Sequence, residues 1–118
     1  MGVPRTYSAW QCRYFVIGGA VAKPHVLQIY FSKQSYDRMV LAVFGRKQIT
    51  ERVKAYKLNH LFKTSSIRSK QYRATTGPLH FFTVRIPTTR LKQLNFASRD
   101  LPELQLLRAQ ISRYTSEA

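Results

Sequence analysis

Along the chain the spacing of apolar positions switches between two periods, and each switch marks a change of element. Trp10 to Ile17 is dense in aromatic and β-branched residues and stops at Gly18-Gly19. After a Gly/Ala/Lys/Pro linker, Val26 to Phe31 repeats that composition. Such runs, bounded by turn residues, predict two strands paired as a hairpin. From Ser32 to Gly45 the period lengthens: Tyr36, Met39, Val40, Val43 and Phe44 form the stripe of an amphipathic helix. Ser32 or Ser35 is placed to cap its start, and Gly45 to close it in a left-handed conformation. The helix is therefore expected over roughly 33–45, with the stripe packed on its own sheet.

Beyond Arg52 the pattern turns polar, with Val53, Tyr56, Leu58 and Leu61-Phe62 embedded in it. Ser65 to Arg68 and Gln71 to Arg73 read as short strands, and Thr75 to Pro78 as a turn. Leu79 to Ile86 is the clearest strand of the chain. Pro87 to Arg90 turns it, and Leu91 to Ala97 returns. Asp100 and Glu103 then supply the acceptor and acid of a capping box, with Pro102 tolerated in the first turn. Leu104, Leu107, Ile111 and Tyr114 recur at three and four residues, predicting a closing helix over roughly 101–115 that covers one open side of a sheet. The order predicts a mainly β (α+β) fold. At 118 residues there is room for one domain and one core.

Charge narrows the function. Twenty Lys and Arg stand against five Asp and Glu, for a formal net charge of +15. Such a field attracts polyanions over about a Debye length, roughly 8–10 Å in physiological salt. An anionic membrane, a nucleic acid or an acidic protein surface all satisfy it. No run of bases exceeds Arg46-Lys47, so a disordered basic arm is not indicated. No stretch approaches the roughly 20 apolar residues of a membrane span. The single cysteine, Cys12, excludes an internal disulfide, fits a reducing compartment and is expected to pack, buried or half-buried, between strand aromatics. His25, His60 and His80 lack ligand-like spacing, so no metal or other cofactor is expected. No phosphate loop, nucleophile elbow or acid–base pair is recognisable, and the expectation is a binding protein without catalytic residues.

Three segments, in order, resemble the pleckstrin-homology family. Trp10-Gln11-Cys12-Arg13-Tyr14-Phe15-Val16-Ile17 is similar to its second strand: Trp, two residues, Arg, an aromatic, Phe, then two aliphatics. Leu27 to Phe31 is similar to the third. Phe82 to Ile86, then Leu91 to Ser98 with its apolar–Ala–Ser ending, resemble strands six and seven. The resemblance implies a seven-stranded barrel or sandwich capped by a C-terminal helix, with an extra helix inserted between strands three and four. Two departures stand out: Leu107 replaces the Trp usual four residues before an aliphatic, and only Gly2 to Ser8 remains for strand one.

Family phosphoinositide binders carry a base on strand one and a basic–any–Arg motif on strand two. Arg13 matches the Arg, Gln11 stands in place of the base, and Arg5 is the one upstream candidate. Arg5, Arg46, Lys47, Arg90 and Lys92 would line the loop-rich end where family ligands sit. The resemblance implies a recruitment module, part of a larger protein, that reads an anionic phospholipid headgroup or an acidic protein scaffold. Its expected place is cytoplasmic, peripheral to a membrane or to the cytoskeleton. A basic nucleic-acid-binding protein, such as a ribosomal component, is the alternative, supported by charge and by Phe and Tyr on strands.

Overall fold

Two antiparallel sheets and two helices make up the α+β fold of the computed structural model, which describes residues 3–49, 51–73, 75–88 and 92–116. They divide into two compact units: Gln11–Leu58, and the chain up to Trp10 together with Asn59 onward.

The first unit is a three-stranded sheet with one helix. β1 (Tyr14–Ile17) and β2 (Val26–Tyr30) form the expected hairpin, Tyr14 opposite Tyr30 and Ile17 opposite Leu27. Both glycines of its turn, Gly18 and Gly19, hold φ of +76°, and the Gly18 N–H donates to Val26 O at 2.9 Å. β3 (Lys54–Lys57) pairs on the other side of β2. As the central strand, β2 buries Val26, Leu27, Gln28 and Tyr30. The polar pair among them satisfies itself, Tyr30 Oη donating to Gln28 Oε1 at 3.1 Å. Burial there, followed by Tyr36 nearby, raises the Tyr30 pKa.

Helix α1 (Lys33–Phe44) packs on β2. Ser32 is its cap, accepting from the Ser35 N–H at 3.2 Å. Met39 is buried, and the Tyr36 ring lies 5.5 Å from Tyr14 and 5.2 Å from Tyr30. Tyr36 Oη also accepts the Ala20 N–H at 3.2 Å, tying the helix to the hairpin loop. The expected stripe packs only in part. Val43 and Phe44, at its C-terminal end, stay exposed.

The second unit is organised by β6 (Leu79–Ile86), which falls where the apolar pattern placed it. β7 (Lys92–Ser98) pairs along one edge, and stacked Phe82 and Phe96 rings, 5.3 Å apart, join the two strands. On the other edge stand two fragments, β4 (Lys63–Thr64) and β5 (Arg68–Lys70). They are one strand interrupted by a bulge: Thr64 faces Val84 and Arg68 faces Phe81, so four steps along one strand oppose three along the other. Ser65 occupies the bulge. Its N–H donates to Thr83 O and its Oγ accepts the Thr83 N–H, each at 2.9 Å. The short strands expected at 65–68 and 71–73 are thus displaced towards the amino end.

Helix α2 (Leu101–Thr115) has Asp100 as its cap, accepting the Glu103 N–H at 3.2 Å. The reciprocal half of the box runs through a relay: Asp100 N–H donates to Ser98 Oγ, whose hydroxyl donates to Glu103 Oε2. Leu104 and Ile111 are buried as the helix packs on β4, β6 and β7. Each such side chain contributes roughly 1.5–3 kcal/mol. The amino-terminal segment joins this unit through Tyr72, whose Oη accepts from Trp10 Nε1 at 2.9 Å and donates to Pro4 O at 2.7 Å.

Three expectations need correction. The described strands lie in two sheets and are not closed into a barrel. Tyr7–Ala9, in the segment left for strand one, is a short 3-10 helix, and fragments of two and three residues leave β4 and β5 little to pair with. Counted along the described chain, the inserted helix therefore falls between β2 and β3. Cys12 is exposed, since it precedes β1 and joins no ladder.

Gly19 offers a direct test of the hairpin. A Cβ there would stand 2.5 Å from Val16 Cγ1 and 3.0 Å from Tyr36 Oη, on a backbone that already disfavours side chains. Gly19→Ala is expected to lose at least about 1–2 kcal/mol, the left-handed cost alone, read as a lower urea midpoint at unchanged slope.

Candidate functional site

Of the bases singled out in the sequence, Arg5 and Lys92 belong to one compact unit and Arg13, Arg46 and Lys47 to the other. Arg5 is exposed in the amino-terminal segment and Lys92 is exposed at the start of β7, opposite Ile86. Arg90 lies outside the described residues. Arg13 precedes β1, and its guanidinium is turned onto its own segment: Nη1 donates to Cys12 O and Nη2 to Gln11 Oε1, both at 2.7 Å. Its carbon lies 5.0 Å from the centroid of the Phe31 ring, which is 72% exposed. Gln11, standing where a second base was expected, acts as the acceptor that holds Arg13.

Arg46 and Lys47 follow one another at the end of α1, where the backbone makes a specific closure. Gly45 ends the helix with φ −84° and ψ 0°, so it is not the left-handed residue expected; Arg46 is, at φ 53°. The Lys47 N–H reaches back to Ala42 O at 2.9 Å and the Arg46 N–H to Val43 O at 3.4 Å, the bond pattern of a Schellman closure with Arg46 in the position usually held by glycine. Position 45 excludes a side chain for a different reason: a Cβ would stand 2.7 Å from Leu41 O. Both bases sit where the helix carries about half a negative charge, which favours them.

Beside them the helix is apolar and uncovered. Leu41 and Phe44, one turn apart, are each 68% exposed, and Ile49 is exposed beyond the closure. Leu41 lies off the stripe that faces the sheet. An aliphatic residue on the outward side of an amphipathic helix was the available sequence signal for this patch, and stripe-counting passes over it.

The segment that follows is tied back to α1. Arg38 Nε is hydrogen bonded to Glu51 Oε1, and Arg38 Nη2 donates to Ser35 Oγ at 3.3 Å. The Glu51 side chain is only 17% exposed. The Arg38 hydrogen bond and charge, with help from Ser35, hold the Glu51 carboxyl below its ordinary pKa, and Glu51 in turn raises that of Arg38. This pair anchors the turn that presents Arg46, Lys47 and Ile49.

No protein-family model, no curated protein and no solved structure matches this chain. No helix among the described residues is long and apolar enough to cross a membrane.

Two outcomes follow from this geometry. Arg46→Gly is expected to raise stability by about 0.5–1 kcal/mol in urea denaturation, since glycine takes φ near +53° without the Cβ penalty. Glu51→Gln is expected to lower the melting temperature at pH 7. Because the folded Glu51 pKa is depressed, its contribution is complete above the unfolded value of about 4.3 and disappears as pH falls through the lower folded value. Melting curves of parent and variant should therefore converge in acid; a gap persisting at about pH 2 would remove the ion pair as its cause.

Proposed function

We propose that this chain is a non-catalytic recruitment module of the pleckstrin-homology type that holds a larger protein at an anionic membrane surface. Support for the type comes from the order of elements: antiparallel strands, an inserted helix, further antiparallel strands and a closing helix. The observation that carries the membrane reading is the exposed Leu41–Phe44 pair beside Arg46 and Lys47. An apolar patch rimmed by bases fits a bilayer interface, where side chains enter the acyl boundary and cations meet anionic headgroups. A fully buried Leu or Phe contributes roughly 1.5–3 kcal/mol, and each base near the surface roughly 1 kcal/mol. Those magnitudes give reversible attachment that requires both terms together. Leu41 also weighs against nucleic acid as the ligand here, because an aliphatic side chain offers no ring for base stacking. One observation favours RNA as the second reading: Phe31 is exposed beside the Arg13 guanidinium.

Co-sedimentation with vesicles in physiological salt tests the proposal. Binding is expected to phosphatidylcholine vesicles containing phosphatidylserine and not to phosphatidylcholine alone. Phe44→Ser, at an exposed site, should weaken it about tenfold, a loss near 1.4 kcal/mol. Lys47→Gln should weaken it several-fold while lowering the melting temperature only slightly, by the loss of its place at the helix end. Anionic binding indifferent to Phe44→Ser, or absent beside salt-sensitive binding to single-stranded RNA, would overturn the membrane reading.

A further inference from the structure

A second candidate surface lies wholly within the unit that carries α2. The last turns of that helix and β4 enclose a shallow cleft of about 420 Å3. Phe62 and Thr115, each 6% exposed, form its buried part. Lys63, Thr64, Arg108 and Ser112 line the rest, with Ser116 at the rim. Arg108 is held in place by the Ser65 bulge: its Nε donates to Ser65 O at 2.7 Å, which fixes the plane of the guanidinium and leaves the terminal nitrogens of the fork for a ligand. Thr64 Oγ1 and Thr115 Oγ1 stand 3.3 Å apart, and either hydroxyl can turn its hydrogen towards a third group.

Charge gives the ligand its sign. Asp37 pairs with Lys33, Glu51 with Arg38, Asp100 caps α2 and Glu103 takes the Ser98 hydroxyl, so among the described residues no carboxylate lines the cleft. The carboxyl end of α2 contributes about half a negative charge, against two full positive charges from Lys63 and Arg108. The balance favours an anion. A planar fork, an ammonium group and several hydroxyls suit an acceptor with several oxygens and close to two negative charges.

We propose that this cleft binds a phosphate monoester group. Arg108 grips two of its oxygens, Lys63 supplies the second cation, and Ser112 with whichever hydroxyl of the Thr64–Thr115 pair keeps its hydrogen free donates to the remaining acceptors. The inference is independent of the α1 patch, which belongs to the other unit.

Titration of the isotope-labelled full chain with glycerol 3-phosphate, against chloride at matched ionic strength, tests it by NMR. The expected result is saturable shifts of the Lys63, Thr64 and Thr115 amides in physiological salt. Affinity should rise between about pH 5 and 7 as the monoester gains its second charge. Lys63→Gln, an exposed change that spares the core, should weaken binding about tenfold. Arg108→Lys keeps the charge and loses the fork, and should weaken it further; a melting curve separates that effect from loss of the Ser65 bond. Shifts that never saturate, that spread over the basic surface, or that ignore Lys63→Gln overturn the proposal. Where titration saturates, vesicles identify the source of the phosphate. Preference for phosphatidic acid over phosphatidylserine at equal surface charge, abolished by Lys63→Gln, assigns a lipid headgroup; equal binding to both assigns a soluble phosphate ester.

Discussion

Mutual repulsion among twenty bases, with five acids to answer them, is the constraint to which the rest of the structure conforms. The described carboxylates are each committed to a structural point: Glu51 and Asp37 to bases on α1, Asp100 and Glu103 to the start of α2. Several of the other cations turn to acceptors without formal charge. Arg13, Arg68, Lys70, Arg99 and Arg113 lie over Phe31, Phe81, Tyr72, Tyr7 and Tyr114, respectively. Backbone carbonyls also serve, Ser65 O for Arg108 and Pro4 O for Lys70. Such contacts contribute about 0.5–1 kcal/mol each where exposed, far less than a buried side chain. Cohesion therefore rests on apolar burial around β2 and β6, and the aromatic residues act both as core and as seats for positive charge.

Each unit meets that requirement around one strand. In the first, β2 buries four of its five residues, and the Tyr30–Gln28 bond lets it bury polar groups. β3 follows as a lysine-bearing edge, with Lys54 and Lys57 exposed, which discourages pairing with another chain. In the second, β6 is paired on both edges and α2 closes over its sheet. The bulge at Ser65 interrupts one edge of that sheet and simultaneously fixes Arg108. The same irregularity that shortens β4 and β5 thus shapes the cleft beside them.

The sequence is legible where one residue pattern decides one element. α1, α2 and β6 are long or strongly periodic, and their bounds fall close to the expected ones, with Ser32 and Asp100 as caps. β3 carries no alternation, because three of its four residues are exposed; its strand state comes from the open edge of β2, which no local pattern records. The bulge is hidden for a similar reason, as register depends on the partner strand. Gly45 looked like the left-handed residue because glycine usually is, whereas backbone crowding at Leu41 O requires the glycine and Arg46 takes the strain. Among candidate site residues, Arg46 and Lys47 are neighbours by sequence alone. Which way Arg13 turns depends on Gln11, two residues before it.

The clasp of Tyr72 on Pro4 and Trp10 has a consequence for the order of assembly. Gln11–Leu58 is continuous in sequence, and its sheet pairs residues no more than 31 positions apart. The other unit is split around it and must join residues 68 positions apart. Closing a loop that contains an already folded insert costs less entropy than closing the same length of free chain, because the insert brings its ends to fixed positions. Hairpin and helix would then serve as a template that shortens the effective search, and the amino-terminal aromatics would dock last, once the carboxyl-terminal sheet is there to receive them.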